Sequence, residues 1–77
     1  MKLYKNIEFI ISIVDYEIHS CERVLSETND TISKIDKNDT EKVIHTLVKI
    51  GVINGQLLEL NRVKDRLEVV LKHNPEE

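Results

Sequence analysis

Acidic and histidine side chains one helical turn apart are the residues of this chain best placed to bind a metal ion. Asp15 with His19, and Glu41 with His45, are each four positions apart and would offer two ligands from one helix face. Such pairs are common on solvated helices, and no cysteine and histidine cluster has zinc spacing. Glu17 and His19 are two positions apart, so the Glu-x-x-His pattern of di-iron bundles is absent. The sequence therefore predicts no metal site.

Cys21 is the one cysteine, and it occupies a position of the main apolar stripe. A catalytic thiol needs a base, and none is evident in the sequence. A single cysteine cannot form an internal disulfide, which suits a reducing cytosol. Paired carboxylates such as Glu17 and Glu22 lack an evident pocket. We therefore expect no catalytic residue, no cofactor, no enzymatic activity and a cytoplasmic location.

The densest basic group consists of Arg62, Lys64 and Arg66. Three acidic neighbours dilute it, and no aromatic side chain lies between its members to stack on bases. The net charge of −3 also argues against nonspecific binding of nucleic acid. A solvated helix face is the plain interpretation, and contact with an acidic partner is the other. A nucleic-acid-binding regulator that uses this face stays open as the alternative function.

Gly51 and Gly55 both fall inside the second helical segment. Each costs up to ~1 kcal/mol relative to alanine in a helix interior. Because they are four positions apart, they share a face and would let another helix approach closely. Two alternatives are a tolerated pair and a break at residues 53–55, which would loosely resemble a helix-turn-helix. We predict a continuous helix with the glycines at a helix–helix contact.

Phe9 and Tyr16 are seven positions apart, so they share a helix face outside the main apolar stripe. Aromatic side chains are enriched at binding hot spots, although they also cover the edges of wide cores. With Ile13 nearby, this face is our first candidate surface for a protein partner. The basic group of helix 2 is the second.

One unbroken apolar stripe, in alternating steps of four and three, predicts a first helix over about residues 2–36. A strand would alternate by two. The stripe consists of Tyr4, Ile7, Ile11, Val14, Ile18, Cys21, Leu25, Thr28, Ile32 and Ile35. Its central members, expected to contact other helices, are Ile11, Ile18, Cys21 and Leu25. Further apolar residues widen the face, which suits a bundle of more than two helices. Residues 28–31 have poor helix propensity, so the sequence allows a kink in the helix there.

A polar break over residues 36–40 supplies Asn38 and Asp39 as candidate N-caps. A second helix is predicted over about residues 39–73, ended by Asn74-Pro75. Its expected buried positions are Val43, Leu47, Ile50, Ile53, Leu57, Leu60, Leu67 and Leu71. The short connection forces the two helices to be antiparallel. Acidic residues between 8 and 17 should then lie beside the basic group across the seam.

Seventy-seven residues allow a single domain, 1–77, with a marginal core and no disulfide or metal to reinforce it. Oligomerisation is the expected source of the missing burial. The fold class is all-α: a long antiparallel helical hairpin, paired as a homodimeric four-helix bundle.

The apolar run over residues 9–14 is too short for a signal peptide or membrane span, so no membrane partner is expected. The composition is that of an AT-rich coding sequence, such as one from a phage or mobile element. We expect a non-catalytic small interaction protein that binds and regulates or inhibits a protein partner.

Overall fold

The computed structural model describes residues 3–73, with side chains from residue 6 onward. Two α-helices, α1 (Leu3–Lys34) and α2 (Thr40–His73), pack against each other along a rod of 59 × 14 × 14 Å. The described residues contain no strand. The all-α helical hairpin is therefore confirmed. The side chain of Tyr4 and the predicted stop at Asn74-Pro75 lie outside what the structure describes.

Helix α1 presents its predicted stripe to α2. Ile7, Val14 and Ile18 are buried, and the other described apolar members of the stripe are half-buried. Thr28 is buried among them because its hydroxyl donates a 2.7 Å hydrogen bond to the Val24 carbonyl of its own helix. The helix is continuous through residues 28–31, where the sequence left a kink open.

The connection between the helices is held by two aspartates. The Asp36 carboxylate accepts a hydrogen bond from the Asn38 amide at 2.9 Å, which forms a tight turn. The Asp39 carboxylate accepts a hydrogen bond from the backbone amide of Lys42 at 3.3 Å, and α2 begins at Thr40, directly after Asp39. Of the two caps that the sequence allowed, Asp39 is therefore the one used.

Helix α2 faces α1 with a strict alternation of three-residue and four-residue steps. These positions are Val43, Thr46, Ile50, Ile53, Leu57, Leu60, Lys64, Leu67 and Leu71. The expectation that Leu47 lies in the seam was wrong, because its side chain is 53% exposed. Four residues back from Ile50 is Thr46, and Leu47 is rotated by about 100° from it around the helix. Lys64 was likewise not expected in the seam.

Between Val43 and Leu60 helix α2 carries only two charged residues, Lys49 and Glu59, and its apolar side chains are spread around the whole circumference. By length and composition alone α2 meets the requirement for a membrane-spanning helix. This is a weak argument, since core helices of soluble proteins meet the same requirement. The membrane was considered from sequence only at residues 9–14, so this property of α2 was missed. Such a helix is normally covered on more than one side.

Candidate interaction surfaces

Apolar side chains on the outside of the hairpin are the main feature of its described surface. Among residues 6–73, four hydrophobic residues are buried, whereas twelve large ones are exposed. The exposed set is Phe9, Ile10, Ile13, Tyr16, Ile44, Leu47, Val48, Val52, Leu58, Val63, Val69 and Val70. Scattered exposed apolar residues are normal, but continuous patches mark binding surfaces.

The first patch, which we call the aromatic face, consists of Phe9, Ile13 and Tyr16 on α1. The steps of four and three between them place all three on one side of the helix. Phe9 and Tyr16 are 64% and 70% exposed, so neither covers the edge of the seam. This places the sequence-predicted partner-binding residues together on the surface, with nothing of the described hairpin packed over them.

The second patch, which we call the outer stripe, runs along the side of α2 turned away from α1. It consists of Ile44, Val48, Gly51, Gly55 and Leu58, in steps of four, three, four and three. Every member is exposed. The sequence predicted one apolar stripe in each helix, so this second stripe was not expected, although its spacing is visible in the sequence.

The two glycines of the outer stripe do not contact α1. A Cβ atom added at Gly51 or Gly55 would meet no other atom within 4 Å. Helix α2 is continuous through both, and no described residue has a positive φ, so the helix-turn-helix considered at residues 53–55 is not formed. The predicted close helix contact at the glycines is therefore not supplied within the hairpin, and it stays a prediction about a second molecule.

The remaining predicted contact residues line the seam itself. Ile18 is buried, and Ile11, Cys21 and Leu25 are half-buried on the side of α1 that faces α2. Cys21 lies at the edge of the seam, where its Sγ atom is 4.0 Å from the Gln56 amide oxygen. The thiol is thus less shielded than a central core position would make it.

The three basic residues of α2 do not form one surface. Lys64 lies in the seam, where its ammonium group is 2.7 Å from the Asp15 carboxylate of α1. This pair confirms the predicted meeting of acid and base across the hairpin. Arg62 points outward and bonds Glu59 on its own helix at 3.1 Å, and Arg66 is exposed. Only Arg62 and Arg66, four positions apart, remain on a common outer face.

The Asp15 hydrogen bond is the largest influence on Lys64, and it raises the pKa of the ammonium group above its ordinary 10.5. Partial desolvation opposes this effect, and the neighbouring carboxylates of Glu68 and Asp65 reinforce it. The lysine therefore stays charged at every physiological pH, even though it occupies a position that apolar residues fill elsewhere along the seam.

His19 and His45 lie on the solvated surface, and Asp15, which the sequence offered as a partner of His19, contacts Lys64 in the seam instead. His19 is 3.4 Å from Glu22, and His45 is 4.0 Å from Glu41, with all four side chains exposed. Within residues 3–73 no group of three or more potential ligands could hold a metal ion. An open groove beside Cys21 is lined by Glu17 and Glu59, among others, and no chemistry follows from these two carboxylates alone.

Comparison of this chain with protein-family models, with curated proteins and with solved structures found no match.

Proposed function

We propose that this chain is a non-catalytic interaction protein that binds and regulates another polypeptide, and that it works as a homodimer of hairpins in the cytoplasm. The observation that supports this most is the excess of exposed apolar surface over buried core. A protein that uses its fold to present helix faces, rather than to enclose a cavity, is suited to packing against other helices.

The surface area supports the homodimer. The chain exposes 6023 Å². A compact protein of 9.0 kDa would expose about 4,900 Å². The excess of roughly 1,200 Å² is larger than the ~800 Å² per partner that a stable interface usually buries. Pairing two hairpins into an assembly of four helices would cover part of this excess.

The aromatic face is the proposed contact with the regulated partner. Aromatic side chains provide large contact areas at a low cost in side-chain entropy. Phe9, Ile13 and Tyr16 lie on the side of α1 turned away from α2, whereas the outer stripe lies on the side of α2 turned away from α1, so the aromatic face stays accessible when that stripe is covered. The partner's own surface should be an apolar groove or a helix face.

Affinity capture with matched baits tests this proposal. The wild-type chain, Tyr16→Lys and Ser26→Lys are immobilised and exposed to the same low-GC bacterial lysate, and retained proteins are identified by mass spectrometry. Both substitutions add one positive charge to an exposed position of α1. We expect one polypeptide to be retained stoichiometrically by the wild type and by Ser26→Lys, and to be lost with Tyr16→Lys. Retention that does not differ between the three baits would contradict the proposed contact.

A further inference from the structure

We infer that two copies of this chain associate through the outer stripe of α2, antiparallel, with the two-fold axis crossing that stripe at the level of residue 53 along the helix. The inference rests on the proposed homodimer and specifies its interface. It places the two α2 helices side by side in the centre and each α1 on the outside. The assembly is thus an open layer of four helices.

The absence of charge on the outer stripe is the first argument. No charged residue interrupts this side of α2 from Ile44 to Leu58, and Leu47 and Val52 extend the apolar surface on either side. The corresponding outer side of α1 becomes polar directly after Tyr16, with exposed His19 and Arg23. Of the two helices, α2 is therefore the one whose outer side needs to be covered.

The spacing of the outer stripe is the second argument. Its steps of four and three repeat those of the seam with α1, so a second helix can pack on it with the same side-chain interdigitation. In the antiparallel arrangement Val48 of one copy lies against Leu58 of the other, and Gly51 lies against Gly55. Large side chains therefore meet at the ends of the contact, while the two backbones approach at its centre.

Charge selects the antiparallel direction. A parallel pair would place Arg62 against Arg62 and Asp65 against Asp65. The antiparallel pair places Arg62 against Ile44, and brings Glu59 beside His45 of the second copy. One like-charged layer, Glu41 against Asp65, falls at each solvated end, where repulsion between exposed charges is weak.

Two valine substitutions test the surface. Val48→Glu buries a carboxylate in the proposed contact, whereas Val69→Glu makes the same change on the same helix beyond the overlap of the two copies. The exposed fractions are similar, 62% and 55%. By sedimentation equilibrium we expect Val48→Glu to weaken dimerisation at least tenfold, and Val69→Glu to change it less than twofold. Equal effects of the two variants, or a dimer unaffected by Val48→Glu, would overturn the inference.

Thiol cross-linking tests the direction in a Cys21→Ser background. Val52→Cys lies next to the two-fold axis and should link to its own copy through a short bismaleimide. In the antiparallel dimer, Val48→Cys of one copy lies about 15 Å along the helix axis from Val48→Cys of the other copy. It should therefore link only when this variant is mixed with Leu58→Cys. Linking of Val48→Cys to itself would show a parallel pair and would overturn the antiparallel geometry.

The outcomes distinguish this inference from the proposed function. A dimer that resists Val48→Glu while Tyr16→Lys still abolishes partner capture would remove the inference alone. Flotation of a monomeric wild-type chain with phosphatidylcholine vesicles, abolished by Val48→Glu, would assign the outer stripe to lipid and overturn both the inference and the homodimer, while partner capture through Tyr16 would still support the regulatory contact. A monomer that captures no partner and binds no vesicles would contradict the proposed function as well.

Discussion

At the scale of single residues, the Asp15–Lys64 pair is the feature that most distinguishes this hairpin from a uniform apolar seam. Lysine is a costly choice at a position flanked by Leu60 and Leu67, since part of its charge must be desolvated. The pair fixes which residues of α1 and α2 lie opposite each other, because sliding the helices would separate the two charges. Partly buried ion pairs contribute to such specificity more than to stability.

Replacing Lys64 by methionine should therefore raise the free energy of unfolding at neutral pH, because an apolar side chain completes the seam. The pKa of Lys64 is raised in the folded protein, so the contribution of its ion pair is fully present below pH 10.5. It is lost as the pH rises through the raised value. Urea unfolding at neutral and at strongly alkaline pH should show this extra alkaline loss in the wild type and not in Lys64→Met. An identical loss in both proteins would contradict the assigned role.

At the scale of elements, α2 differs from α1 in the extent of its outer apolar side, which runs from Ile44 to Leu58, whereas that of α1 ends at Tyr16. The helix remains continuous in spite of Gly51 and Gly55, because packing against α1 on its inner side compensates for their poor propensity. Within one hairpin these glycines serve no contact, as the space around both is open. The close approach of another chain would give these glycines a role, whereas without it they are a tolerated pair.

The substitution Gly55→Ala distinguishes an α2 that is uncovered in the monomer from an α2 that is covered by a second copy. In a Val48→Glu background, where we expect a monomer, it should stabilise the fold by up to ~1 kcal/mol, because alanine favours the helix and meets no neighbour. In the otherwise wild-type protein the same methyl group should meet Gly51 of the second copy and weaken dimerisation. Chemical unfolding of the first protein and sedimentation of the second measure these effects. Stabilisation without any loss of association would show that the glycines are incidental.

At the scale of the whole molecule, the hairpin is a thin rod whose interior is one line of side chains. A radius of gyration of 17.4 Å compares with about 11.5 Å for a compact domain of this length. So small a core gives little stability alone. Association should therefore supply a large part of the free energy of folding.

The melting temperature should consequently depend on concentration. Over a hundredfold increase in protein concentration, mass action adds about 2.7 kcal/mol to the stability of a dimer. For a dimer of two such chains that corresponds to a rise of about 5–11 °C, measurable by far-ultraviolet circular dichroism. Val69→Glu should behave in the same way, whereas the monomeric Val48→Glu should melt at one temperature throughout. A wild-type melting temperature that is independent of concentration would contradict the homodimer.

The sequence by itself determined the two helices, their antiparallel direction and most of the seam. These features follow from local periodicity, from the cap at Asp39 and from the shortness of residues 35–39, and none requires distant contacts. The choice of Thr46 over Leu47, and of Lys64 as a seam residue, was decided by the tertiary structure. Hydrophobicity favours Leu47, but a helix packed along its whole length must keep one register, and that register is set by its neighbours Ile50 and Ile53.

The candidate surfaces likewise depended on tertiary packing as well as on local periodicity. From the sequence, Phe9, Ile13 and Tyr16 could have been either the edge of a wide core or a free face, because periodicity places residues on a side of a helix without saying what covers that side. The outer stripe of α2 was present in the sequence as a second periodic set. Only the packing of α1 against one side of α2 showed that the opposite side, with Val48 and Leu58, is left uncovered.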